Sequence, residues 1–164
     1  MKNVVLYHGT LTSLAPSIMR EGLKPRGKTT SHDEYMNSAS LPQFVYLTSS
    51  AGIALEHACR ISERTASGVG VTVFTIDTDT LDADLIYPDE DYLAEEWNSD
   101  FTDWSLREQL RFMKAKQDTW QESLDMFKTI AYRGTVRVKT IHPVPDWAIQ
   151  MKRDKFRKRI AANA

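Results

Sequence analysis

The residues best placed to do chemistry stand at the ends of three apolar runs. Val4-Val5-Leu6-Tyr7 leads into His8-Gly9-Thr10, Val45-Tyr46-Leu47-Thr48 into Ser49-Ser50, and Ala131-Tyr132 into Arg133-Gly134-Thr135. A histidine at the rim of a rigid strand can hold a proton or orient a ligand, because imidazole titrates near neutral pH. The plainer alternative is a strand-end histidine that merely satisfies its own hydrogen bonds. Gly9, lacking a side chain, lets the backbone approach another chain or a ligand closely.

The elements that must hold these residues follow from periodicity. Val4 to Tyr7 reads as a buried strand whose end opens into a turn at His-Gly-Thr. Leu11 to Glu21 reads as a short helix, capped by Thr12 or Ser13, with Pro16 in its first turn and Gly22 closing it. Residues 26 to 42 are polar and aperiodic, a long loop in which His32 reads as an exposed loop histidine. Phe44 to Thr48 is a second strand. Ser49 and Ser50 follow as caps for an amphipathic helix over 51–66, with Ala54, Ala58 and Ile61 near one face and Gly68 and Gly70 ending it. Val69 to Ile76 is a third strand. Pro88-Asp89-Glu90-Asp91 reads as a helix start, with acids at the positive end of the helix. Ser105 to Lys116 is a further helix, with Leu106, Leu110 and Met113 on one face. Lys128 to Thr140 reads as two short strands joined at Gly134. Residues 152–159 carry six basic residues in eight positions, a basic C-terminal helix or tail.

Composition bounds the rest. The chain has 164 residues, 41% hydrophobic and 26% charged, ordinary values for one domain with one sizeable core. A single domain over 1–150 with the basic segment 151–164 appended is the expected organisation. No run approaches the roughly 20 apolar residues of a membrane span. No signal-peptide pattern opens the chain. Cys59 is the only cysteine, so no disulfide framework forms within the chain, and the cytoplasm is the expected location. The four histidines are scattered, without the spacing of a metal site. Net charge is −1, but the charge is segregated: Asp77 to Asp103 holds 11 of the 22 acids and no Lys or Arg, and 14 of the 21 basic residues follow. Such asymmetry marks either a partner surface or solvated faces.

Taken as a set, Tyr7-His8-Gly9-Thr10, the downstream Gly22-Leu23-Lys24-Pro25 and Val45-Tyr46-Leu47-Thr48 resemble the ADP-ribosyltransferase superfamily, and most closely its small bacterial and phage members with a His-Tyr NAD site. The resemblance covers most of residues 4–141. It implies an α+β fold, an ADP-ribosyltransferase-like split β-sandwich flanked by helices, with NAD as co-substrate in a cleft between two small sheets. It further implies that His8 orients a ribose of NAD, that Gly9 offers its backbone to the nicotinamide amide beside Thr10, and that Tyr46 stacks on the nicotinamide ring. Ser49 and Ser50 would line the pocket or cap the helix.

The catalytic glutamate of many members has no counterpart in Phe127 to Gly134. Glu122 and Asp125 lie just upstream, and Arg133 is the alternative actor, able to grip the pyrophosphate bidentately. The expected activity is mono-ADP-ribosylation of a macromolecule, nucleic acid or protein. Free-standing members resemble toxins of toxin–antitoxin or phage–host conflict, so an antitoxin is a possible partner. Two other expectations compete: an enzyme like the RNA 2′-phosphotransferases, whose Arg-His-His-Arg set is not evident here, and a silent NAD- or nucleic-acid-binding module.

Overall fold

The computed structural model describes residues 4–27, 40–65, 70–97 and 104–162. The loop expected over 26–42, with His32, lies mostly outside the described residues, as does Gly68. The described chain is a mixed α+β arrangement of a six-stranded antiparallel sheet and flanking helices.

The sheet runs in the order β4-β5-β2-β1-β3-β6, where β1 is Tyr7–Leu11, β2 Val45–Thr48, β3 Val71–Ile76, β4 Ile86–Pro88, β5 Thr129–Tyr132 and β6 Val138–Pro143. Its two halves are internally continuous. β1 pairs with β3 from Tyr7↔Thr75 to Leu11↔Val71, and β2 pairs with β5 from Val45↔Tyr132 to Thr48↔Thr129. Between the halves, β1 and β2 share a single rung, Tyr7↔Thr48. The first strand therefore begins later than its apolar run suggests and carries His8, Gly9 and Thr10 within it. The reason is tertiary: the β-branched Val71–Ile76 segment pairs with all five residues of β1 and extends the ladder through the polar ones. The expected two small sheets are thus one sheet that nearly parts at its middle. β5 and β6, consecutive in sequence, lie at different positions in it and do not pair.

Below the seam a shared core bonds the halves. Leu6, Phe74 and Ile76 from one side meet Val45, Leu47, Ile130 and Tyr132 from the other. α1 (Ala15–Glu21) adds Ala15 and Ile18 to this cluster. It is preceded by a short tight turn over Thr12–Leu14, and no side chain caps either segment, so Thr12 and Ser13 do not act as caps. Pro16 sits in the first turn of α1, where a missing donor costs nothing. Gly22 closes the helix at φ +81°, a conformation that favours glycine.

α2 (Ala51–Thr65) lies directly on β1: a Cβ on Gly9 would fall 1.8 Å from the Ala54 carbonyl oxygen. Gly9 thus makes its close approach to α2 of its own chain. Ala58 and Cys59 of α2 form a small cluster with Val71 and Ile149. Ile149 belongs to α6 (Asp146–Ala162), so the basic C-terminal helix starts before residue 151 and its first turns are anchored. On the far half, α3 (Glu90–Glu96), α4 (Leu106–Ala115) and α5 (Trp120–Phe127) enclose a second cluster of Phe44, Tyr87, Tyr92, Leu93 and Met113, with Tyr46 at its edge. α4 starts at a capping box, in which Ser105 and Glu108 satisfy each other's backbone amides. Among the described residues, no helix is long and apolar enough to cross a membrane.

Candidate active site

The seam is where the polar residues of β1 and β2 meet. Continuing the Tyr7↔Thr48 register would set Gly9 opposite Tyr46, yet no ladder forms there. Instead the His8 ring spans the gap, and its Nδ1 donates to the Tyr46 carbonyl oxygen at 2.9 Å. A carbonyl only accepts, so this bond places the proton on Nδ1 and leaves Nε2 as an acceptor in the neutral ring. Enclosure of the ring lowers the His8 pKa below its usual value; the bond to Tyr46 opposes this, and nearby His57 on α2 adds to it. Neutral His8 is therefore the form present at pH 7.

Tyr46 is held at both ends. Its backbone takes the His8 bond, and its hydroxyl accepts from the Leu41 amide at 2.8 Å. The same amide lies 3.3 Å from Glu90 Oε1, so the Tyr46 hydroxyl and the Glu90 carboxyl converge on one donor. Burial first, and then Glu90, push the phenol well above its usual pKa, so Tyr46 stays neutral. Glu90 is 3% exposed, and burial with neighbouring Asp89 raises its pKa well above the usual carboxylate range. Asp89 is the N-cap of α3, with its side chain accepting from the Asp91 amide at 2.9 Å. Burial, then the Asp91 charge, lifts Asp89 from 3.8 to about 6. Its amide is bonded to Ser123 Oγ, which in turn donates to the Thr129 carbonyl of β5.

The structure brings together His8, Gly9 and Tyr46, and sets Ser50 close by as the cap of α2, accepting from the Ile53 amide at 3.3 Å. Of the two roles expected for Ser50, capping is the one its hydroxyl performs. The Ser49 amide is bonded to the Lys128 carbonyl, which ties the end of β2 to the turn before β5. Thr10 is buried and pairs with Thr72, on the side of β1 away from β2. Glu122 is exposed on α5 and accepts from the Tyr92 hydroxyl at 2.8 Å; Arg133 is exposed just past β5. No hydrogen bond joins Glu122 or Arg133 to His8 or Tyr46 among the described residues.

Asp89 and Glu90 are the site neighbours that sequence reasoning missed. It took them only as a helix start, because surface acids at a helix N-terminus are the ordinary case. They follow Ile86-Tyr87-Pro88, which becomes a buried strand only through its pairing with β5, so the acids themselves carry no mark of enclosure. A cavity of about 280 Å³ lies elsewhere, lined by Trp104, Glu108, Arg111, Phe112 and Ala115. It is formed by α4 and the residue before its cap, and belongs to neither β1 nor β2.

No protein-family model matches the chain, and no curated protein is significantly similar to it in sequence.

Proposed function

We propose that this chain is an NAD-dependent mono-ADP-ribosyltransferase with the split-sheet fold of that superfamily, acting on a macromolecule. The observation that carries the reading is the seam: a sheet parted at one rung, with His8 bridging the opening to Tyr46. The residues present suit NAD. A neutral His8 offers Nε2 to a ribose hydroxyl, and the Tyr46 ring offers a π-face to the cationic nicotinamide ring. Orientation of the ribose and exclusion of water favour an oxocarbenium-like transition state. The nicotinamide–ribose C1′–N bond breaks, its electrons neutralise the departing ring, and the acceptor's nucleophile bonds C1′ while losing its proton to a base or water. Arg133, exposed past β5, is available to the pyrophosphate. Glu122 reaches the reaction only if it leaves Tyr92. The basic residues of α6, with Arg137 and Lys139, suit a phosphate-bearing acceptor, and an acidic protein surface, including that of an antitoxin, would be held by the same charges. A cytoplasmic location accords with this role.

The test is nicotinamide release from NAD by the purified chain, alone and with RNA, DNA or cell lysate. Release that depends on one acceptor class supports transfer and names the class. NAD binding without release from any mixture removes the transferase reading in favour of a silent binding module, which the acid-free β5 would suit. His8→Ala and Tyr46→Phe are each expected to lower release roughly 100-fold or less, the scale of a lost positioning contact, with the fold intact. Because the His8 pKa is lowered, release should stay level from pH 7 through the ordinary histidine range and fall only at more acidic pH, as protonation removes the Nε2 acceptor.

A further inference from the structure

Glu90 is a costly residue as the structure places it. It is 3% exposed, its Oε1 shares the Leu41 amide with Tyr46, and its Oε2 has no hydrogen-bond partner among the described residues. A buried polar atom without a partner is destabilising, so its retention calls for a reason beyond folding. The groups around it supply one. The Tyr46 hydroxyl accepts from the Leu41 amide, which comes from the segment entering β2, and Glu90 in the first turn of α3 brings its Oε1 onto that same amide. A phenol pinned at its hydroxyl and, through its backbone, at His8 has a ring that cannot swing.

We propose that Glu90 is a positioning residue for Tyr46: with the Leu41 amide it locks the phenol hydroxyl and so fixes the plane of the ring that faces the site. The lock itself stands on the contacts of the chain; its consequence for NAD rests on the functional reading above. The titratable groups facing Glu90 are Tyr46 from β2 and Asp89 and Asp91 from α3. Burial, and then the charges of Asp89 and Asp91, raise the Glu90 pKa and so favour the neutral carboxyl in the lock.

Two measurements separate the lock from the ligand. In the ligand-free protein, tyrosine labelled with carbon-13 at Cζ is followed by NMR, the Tyr46 signal being identified by its loss in Tyr46→Phe. Glu90→Ala should shift that signal and leave those of Tyr7 and Tyr132 in place, while Glu90→Gln, neutral and of the same shape, should stay nearer the parent. A Tyr46 signal unmoved by Glu90→Ala overturns the proposal. NAD affinity is then measured across a double-mutant cycle. Glu90→Ala is expected to weaken binding about tenfold in the parent and less than about twofold in the Tyr46→Phe background. Equal losses in both backgrounds overturn the proposal, because Glu90 would then act by another route. A shifted Tyr46 signal in a protein that binds no NAD supports the lock and removes the NAD reading instead. If Glu90→Ala does not fold, Glu90→Gln carries both comparisons with the same signs and smaller changes.

Discussion

Gly9→Ala is the substitution whose outcome the packing dictates most directly. The added Cβ would stand 1.8 Å from the Ala54 carbonyl oxygen, 2.6 Å from its carbon and 3.1 Å from Ala58 Cβ. Ordinary contact requires more than 3 Å to the first two, so α2 must retreat by roughly 1 Å, a gap that forfeits a quarter to a half of each affected contact's attraction. Neither partner has a rotamer to change: one is strand backbone, the other helix backbone. The cost therefore belongs at the upper end of the range for overpacking, about 3 kcal/mol. The reduced freedom of the unfolded chain offsets about 0.4–1 kcal/mol of this. A net loss of about 2 kcal/mol or more corresponds to a fall in Tm of roughly 4–8 °C for a chain of this size. Urea unfolding followed by tryptophan fluorescence and circular dichroism gives the free energy and its slope. Gly52→Ala is the control, since its Cβ would meet only Ser50 Oγ at 3.5 Å and α2 should gain up to about 1 kcal/mol. A Gly9→Ala protein within about 0.5 kcal/mol of the parent, with an unchanged slope, would refute the close seating of α2 on β1.

Two further substitutions test the far half of the molecule. Asp89 is held near pKa 6 against an ordinary 3.8, so between those values the folded state keeps a proton that the unfolded state releases. Its contribution to stability is therefore full at low pH and declines as pH rises through that window, by about 3 kcal/mol in total. Asp89→Asn keeps an equivalent cap for α3 and removes the titration. The variant should match the parent near pH 4 and exceed it at pH 7 in urea midpoints, and a gap that fails to widen with pH counts against the burial of this carboxyl. Ser105→Ala removes one arm of the capping box and should cost about 1 kcal/mol, read from thermal unfolding at neutral pH, while Ser17→Ala, on an exposed bond of α1, should cost less.

Much of the frame was legible because it rests on local pattern. Val45–Thr48 and Val71–Ile76 are β-branched and apolar, Leu106, Leu110 and Met113 share one face of α4, and Ala54 and Ala58 share one face of α2; each yielded its element within a few residues. β4 was not legible: Ile86-Tyr87-Pro88 is three residues inside an acidic stretch and becomes a strand only because β5, some forty residues later, pairs with it. The sheet order was hidden for the same reason, since which strands neighbour one another depends on long-range pairing. His8 and Tyr46 were singled out by their motifs, and the structure joins them. Glu90 could not be read as buried, because nothing in Asp89-Glu90-Asp91 distinguishes an enclosed acid from a solvated one.

The single rung between β1 and β2 has a mechanical consequence. Within each half, backbone hydrogen bonds are directional and fix a register; between β1 and β2 themselves, among the described residues, the join is one rung and one imidazole, backed by an apolar core of Leu6, Phe74, Val45, Leu47 and Ile130 and overlaid by α2. Apolar contact has no preferred direction, so it resists separation far more than rotation. The angle between the two ladders is therefore set by side-chain packing, in the core and under α2, more than by backbone pairing. Substitutions in that core can re-set the angle, which gives sequence drift a way to alter the width of the opening while both ladders stay intact.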